Sequence, residues 1–119
     1  MNTKAIGDKG EDLSASYLQK HGYEILERQY RKLGGEIDII AQKDDCLVFC
    51  EVKARSSLQY GRPAEAVSLR KQQRIIHTAA CYLQENNLED IACRFDVIEI
   101  YHKPEGDFLQ HLKNAFEAG

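Results

Sequence analysis

The stretch Gly35–Arg55, GEIDIIAQKDDCLVFCEVKAR, constrains the fold of this chain more than any other. It reads as two β-strands joined at Asp44-Asp45, a two-residue turn in which aspartate tolerates the positive φ required. Side chains alternate across a strand, so antiparallel pairing about that turn sets Asp38 opposite Glu51 and Glu36 opposite Lys53. One face then carries Glu36, Asp38, Ile40, Leu47, Phe49, Glu51 and Lys53, and the other Ile37, Ile39, Ala41, Cys46, Val48, Cys50 and Val52. Apolar residues on both faces predict a central hairpin covered from both sides. The four ionisable groups gather at the end away from the turn.

Charged groups seldom enter a sheet without partners, because desolvating each costs several kcal/mol. Two carboxylates directly opposed also repel one another. A divalent cation relieves this, since Mg²⁺ is held by one or two carboxylates with water and phosphate oxygens completing its shell. Aspartate, glutamate and a nearby lysine then suit phosphodiester hydrolysis, the lysine steadying the attacking water or the developing charge. The residues alone leave a second reading open: a structural ion-pair cluster in which Lys53 neutralises Glu36 and Glu51.

The rest of the chain predicts helices and strands in the order αβββαββ, an α/β class with a mixed sheet and helices packed on it. Thr3–Gly22 has Ile6, Gly10, Leu13 and Tyr17 at helical spacing, with Gly22 as its left-handed end and Gly10 as a point of close approach to the sheet. YEILERQYRK is a strand. A long helix over about 64–84, with Pro63 at its first position, puts Ile76, Ala79, Ala80 and Leu83 on its apolar stripe. IACRFDVIEIYHK is a strand and PEGD a turn, while FLQHLKNAF fits a strand or a helix equally.

With 119 residues, 43% hydrophobic and 29% charged, the expectation is one globular domain spanning 1–119. No apolar run reaches a membrane span and the N-terminal segment has no signal-peptide core, so a cytoplasmic location is expected, with no membrane partner. Cys46, Cys50, Cys81 and Cys93 form no C-x-x-C pair and are read as buried and reduced. The net charge of −3 disfavours broad coating of nucleic acid, yet six basic side chains lie between Val52 and His77 against Glu65 alone.

The spacing D-x₁₂-E-x-K of Asp38, Glu51 and Lys53 resembles the PD-(D/E)xK signature of restriction-endonuclease-like folds, with Ile37 where that signature has proline. Longer strings are more specific: GxxGE at Gly7–Glu11, GEIDIIA at Gly35–Ala41, VFCEVKAR at Val48–Arg55, YGRPAEAV from Tyr60, KQQRIIHTAACYL from Lys71, RFDVIEI from Arg94 and HLKNAF from His111. Together they resemble the YraN-like family of small bacterial proteins, predicted nucleases distantly similar to archaeal Holliday-junction resolvases. The resemblance implies a restriction-endonuclease-like central mixed sheet and Mg²⁺ or Mn²⁺ held by Asp38 and Glu51, with the Val52 carbonyl contributing. It implies Lys53 as catalytic and Glu11, on the first helix, as a further ligand.

Glu36 is then a supporting partner of Lys53. Arg55, Lys71 and Arg74 are candidate nucleic-acid contacts, with a solvated surface as the plain alternative for each. Gln72, Gln73 and Tyr60 are weaker candidates, and Asp96 is read as paired to a nearby base outside the site. The expected activity is that of an endonuclease cutting DNA rather than RNA, at branched or damaged structures, and a homodimer would suit a four-way junction. Two rivals remain: a nucleic-acid-binding module that keeps the fold without turnover, and a structural protein whose buried charges only fix strand register.

Overall fold

The computed structural model describes residues 3–56 and 67–118, with side chains from Lys9 to Arg55 and from Val67 to Ala118. The elements follow the expected order: α1 (Thr3–Lys20), β1 (Glu24–Lys32), β2 (Gly35–Lys43), β3 (Cys46–Ser56), α2 (Leu69–Glu85), β4 (Ala92–Lys103) and β5 (Gly106–Phe116). The segment FLQHLKNAF is therefore a strand. Five strands form one sheet in the order β1-β2-β3-β4-β5. All neighbours are antiparallel except β3 and β4, whose parallel pairing is reached through α2.

Each face of the sheet has its own core. On one side Ile39, Ala41, Val48, Cys50, Ile98 and Ile100 pack under Ala15 and Leu18 of α1. On the other, Ile37, Ile40, Leu47, Phe49, Phe95 and Val97 pack under Ile75, Ala79 and Tyr82 of α2. The hairpin is thus central, as its two apolar faces require. The α2 stripe differs from the expected one: it runs through Ile75, Thr78, Ala79 and Tyr82, while Ile76 and Leu83 are half-buried and Ala80 is exposed.

The start of α2 also differs. Ser68 is extended (φ −61°, ψ 157°) and its hydroxyl accepts from the Lys71 N–H at 3.2 Å. An N-cap that satisfies one of the open backbone donors sets the boundary there, later than residue 64. Pro63 and Tyr60 lie outside the described residues. At α1, Gly22 takes φ +88°, the left-handed end that the sequence predicts.

The close approach of helix to sheet falls at Gly35, where the sequence expects it at Gly10. A Cβ on Gly10 would meet Ile100 at 3.6 Å, ordinary contact, so the helix does not depend on its absence. A Cβ on Gly35 would lie 2.0 Å from the Thr78 hydroxyl oxygen. The start of β2 therefore presses its backbone directly onto α2. Asp44 and Asp45 take φ 50° and 62°, as a two-residue hairpin turn demands. Of the cysteines, Cys50 is buried, Cys46 and Cys81 are half-buried, and Cys93 is exposed, contrary to the expectation for that residue.

Candidate active site

The β2–β3 ladder runs from Lys43↔Cys46 to Ile39↔Cys50 and ends there. Beyond it, Oδ2 of Asp38 accepts the Val52 N–H at 2.8 Å, so a carboxylate replaces a ladder partner. On the other side β1 pairs Arg28 with Ile39 and Tyr30 with Ile37, while the intervening Gln29 takes a left-handed φ of 52°. Alternation along β2 breaks over the same stretch. Ile37 and Ile40 both enter the α2-side core, whereas strict parity assigns Ile37 to the opposite face.

The same break relocates Glu36. It pairs with Arg31 of β1 in the register, is exposed, and lies 3.3 Å from the Arg31 Nε. It is not a partner of Lys53, because the ladder that would oppose them has already ended.

Asp38 and Glu51 do come together. Asp38 is half-buried and Glu51 is 7% exposed. Burial first, then the charge of Glu51 and a hydrogen bond between the two carboxyls, push the Asp38 carboxyl up to about 7. The Val52 N–H pulls the other way, and Glu36 adds a smaller upward push.

Lys53 is half-buried on the Glu51 face. Burial, then the ammonium of Lys71 beside it, hold its amine below the usual lysine range, against the pull of Glu51. Lys71 itself reaches down from the first turn of α2 and places Nζ 3.2 Å from Oε1 of Glu51. It is a counter-ion of the carboxylate pair, a role its position on a solvated helix face did not announce. Asp38, Glu51, Lys71 and Arg74, with Gly34, Glu36 and Ile75, line an open cleft of about 270 Å³.

The other predicted residues fall elsewhere. Arg55 Nε donates to Oε2 of buried Glu99 at 2.6 Å, so its charge is engaged inside the fold. Glu11 is 6% exposed and receives Arg28 Nε at 2.8 Å and Gln29 Nε2 at 3.4 Å. Glu11 is thus held by β1 side chains, and its carboxylate is engaged there. Gln72 donates to the Val67 carbonyl at 3.0 Å. Asp96, wholly buried, accepts from Arg94 (2.9 Å to each oxygen) and the Asn114 N–H (2.9 Å), and bonds His111 at 2.7 Å. It is paired and outside the cleft, as expected.

Sequence reasoning missed Gln29, Gly35 and Glu99. Only Glu99 carried a readable signal, a charge inside the apolar run of β4. In the structure it stands beside Lys53 in the β3–β4 register, and its Oε1 has no hydrogen-bond partner among the described residues.

Among the described residues no group of three or more His, Cys, Asp or Glu is placed to hold a metal, and no helix is long and apolar enough to cross a membrane. The carboxylate pair is what the site offers: two acids and two amines under an arginine.

Curated relatives match along nearly the whole chain. A UPF0102 protein of Clostridioides difficile is 46% identical over 116 residues, covering 98% of this chain and all of the relative. One from Acetivibrio thermocellus is 47% identical over 122 residues, covering 97% of this chain and 93% of its own. One from Clostridium perfringens is 50% identical over 115 residues, covering 95% and 94%. The model of the uncharacterised protein family UPF0102 matches residues 10–100, and the chain belongs to that family.

Proposed function

We propose that this protein is a metal-dependent nuclease hydrolysing phosphodiester bonds, with DNA as its substrate and branched or damaged structures as its targets. The observation that carries the reading is the Asp38–Glu51 contact, in which a buried and a half-buried carboxyl meet and burial with the charge of Glu51 pushes the Asp38 carboxyl up. With both groups ionised the pair carries two negative charges, of which Lys71 offsets one, and it fits a hard divalent cation. Asp38, Glu51 and the Val52 carbonyl would hold Mg²⁺ or Mn²⁺. Glu36, the third acid on the cleft, is turned to Arg31, which leaves coordination positions for water and phosphate oxygens. The bound ion would neutralise phosphate charge and make its water acidic.

Lys53, an amine held below its usual range, can hold the attacking water or balance charge on the phosphate oxygens. Lys71 and Arg74 face the same cleft and can draw the backbone in. Glu11 stays outside this set while Arg28 holds it. The Lys71–Glu51 ion pair is the one observation that favours a binding module without turnover.

A cutting assay separates the readings. Wild type is incubated with Mn²⁺ and labelled single-stranded, duplex, flapped and four-way DNAs. Lys53→Gln should lower the rate by about a hundredfold or more and leave the melting temperature near wild type. Cutting that survives both Lys53→Gln and Glu51→Gln unchanged would sink the nuclease reading. Binding without any cutting would leave the module.

A further inference from the structure

A second groove opens beside the carboxylate cleft. Lys32, Leu33, Arg70, Arg74, His77 and Thr78 line about 310 Å³ between the β1–β2 turn and the outer side of α2. Arg74 belongs to both depressions. Gly34 and Glu36 link the cleft in turn to a third hollow around the tip of the β1–β2 turn. The three thus share lining residues and lie side by side, running from Asp38 and Glu51 toward the β1–β2 turn.

Most of the basic side chains around this path are already paired, and two are not. Arg28, Arg31, Arg55, Lys71 and Arg94 each hold a carboxylate, and Lys32 holds Glu85. Arg70 and Arg74, one helical turn apart on α2, make no ion pair among the described residues. Free guanidinium groups one turn apart suit successive backbone phosphates.

At the rim stands Leu33, 89% exposed and in a left-handed conformation (φ 51°). A leucine in water on a basic rim contributes nothing to the core, and isolated cases need no explanation. Here the turn that carries it is fixed: Gly35 presses on Thr78 with no room for a Cβ. Leu33, two residues before that contact, lines the same groove as Arg70 and Arg74. Apolar side chains presented this way insert between or against bases and favour nucleic acid whose bases are already unpaired.

We infer that this groove carries a nucleic-acid strand away from the carboxylate cleft, with Leu33 as a wedge against an unpaired base. The inference rests on the nuclease reading and narrows its substrate to DNA with unpaired bases beside a duplex.

The test is fluorescence anisotropy with labelled duplex and flapped DNA in EDTA, where binding is read without cutting. Arg70→Glu should weaken both DNAs about tenfold and lower the salt slope by about one. Leu33→Ser should weaken the flapped DNA about fivefold or more and leave the duplex unchanged. Both residues are exposed, and melting curves matching wild type confirm folding. Unchanged binding in both variants, or an equal loss for duplex and flap with Leu33→Ser, overturns the inference. So does a Leu33→Ser variant whose mass in solution falls from dimer to monomer, since the rim would then face a second copy.

Cutting in Mn²⁺ is scored separately. Wild type that cuts while these variants bind normally keeps the nuclease and loses the groove. Wild type that binds as expected and never cuts keeps the groove and loses the nuclease.

Discussion

The ammonium of Lys71 on α2 lies 3.2 Å from the Glu51 carboxylate on β3, so a helix amine occupies one side of the acid pair. A cation bound between Asp38 and Glu51 must share that carboxylate with Lys71 or displace it. Lys71→Met should therefore tighten Mn²⁺ binding several-fold while weakening DNA binding, since the same amine faces the cleft. Titration calorimetry checks the first change and anisotropy the second. Weaker Mn²⁺ binding in this variant would mean that Lys71 orders the pair rather than competes at it.

The pair also sets a pH dependence. Asp38 has its folded value raised from 3.8 to about 7, mainly by burial and by Glu51. The folded state then holds a proton that the unfolded chain has released, and unfolding stability must fall as pH rises across that window. The slope approaches about 1.4 kcal/mol per pH unit for one whole proton and levels off above pH 7. Urea titrations in EDTA between pH 4.5 and 7.5 should show it in wild type, and Asp38→Asn should flatten it. Asp96 has the opposite sign at lower pH. Burial pushes it up, but the hydrogen bonds from His111, Arg94 and Asn114 outweigh this and hold it below 3.8. Its stabilisation is present above that value and is lost as pH falls through the folded one.

Gly35 against Thr78 is the contact that fixes the β1–β2 turn on α2. Gly35→Ala places a Cβ 2.0 Å from the Thr78 hydroxyl oxygen and should cost about 1–3 kcal/mol. Removing that hydroxyl with Thr78→Ala leaves the nearest Thr78 atom at 3.4 Å, so the double variant should regain part of the loss. Denaturant midpoints of the two single variants and the double variant measure the coupling. Additive losses would show that the turn does not bear on Thr78.

Much of this arrangement is legible in the residues. Alternation in GEIDIIA and VFCEVKAR gives the central hairpin, and the Asp-Asp turn gives its register as far as Ile39↔Cys50. The carboxylate pair follows from that register extended by one step. What fails is the step after it. Gln29 in a left-handed conformation and Asp38 taking the Val52 N–H are tertiary solutions at the end of a ladder, with no periodicity to betray them. Over the same stretch Glu36 meets Arg31 and Ile37 enters the core under α2.

The partners of long side chains were equally hidden. Lys71 reaches Glu51 and Arg55 reaches Glu99 across different elements, so spacing along one helix or strand says nothing of either. The α2 stripe was read one residue late, because Thr78 and Tyr82 serve as core residues beside Ile75 and Ala79.

The most direct test of the carboxylate pair as a cation site is the melting temperature at pH 8 with and without Mn²⁺. A ligand that binds only the folded state must raise it. Wild type should gain several degrees at saturating Mn²⁺, Asp38→Asn and Glu51→Gln should gain little, and Arg74→Gln should gain as wild type does. No shift in wild type, or the same shift in Asp38→Asn, would contradict the account.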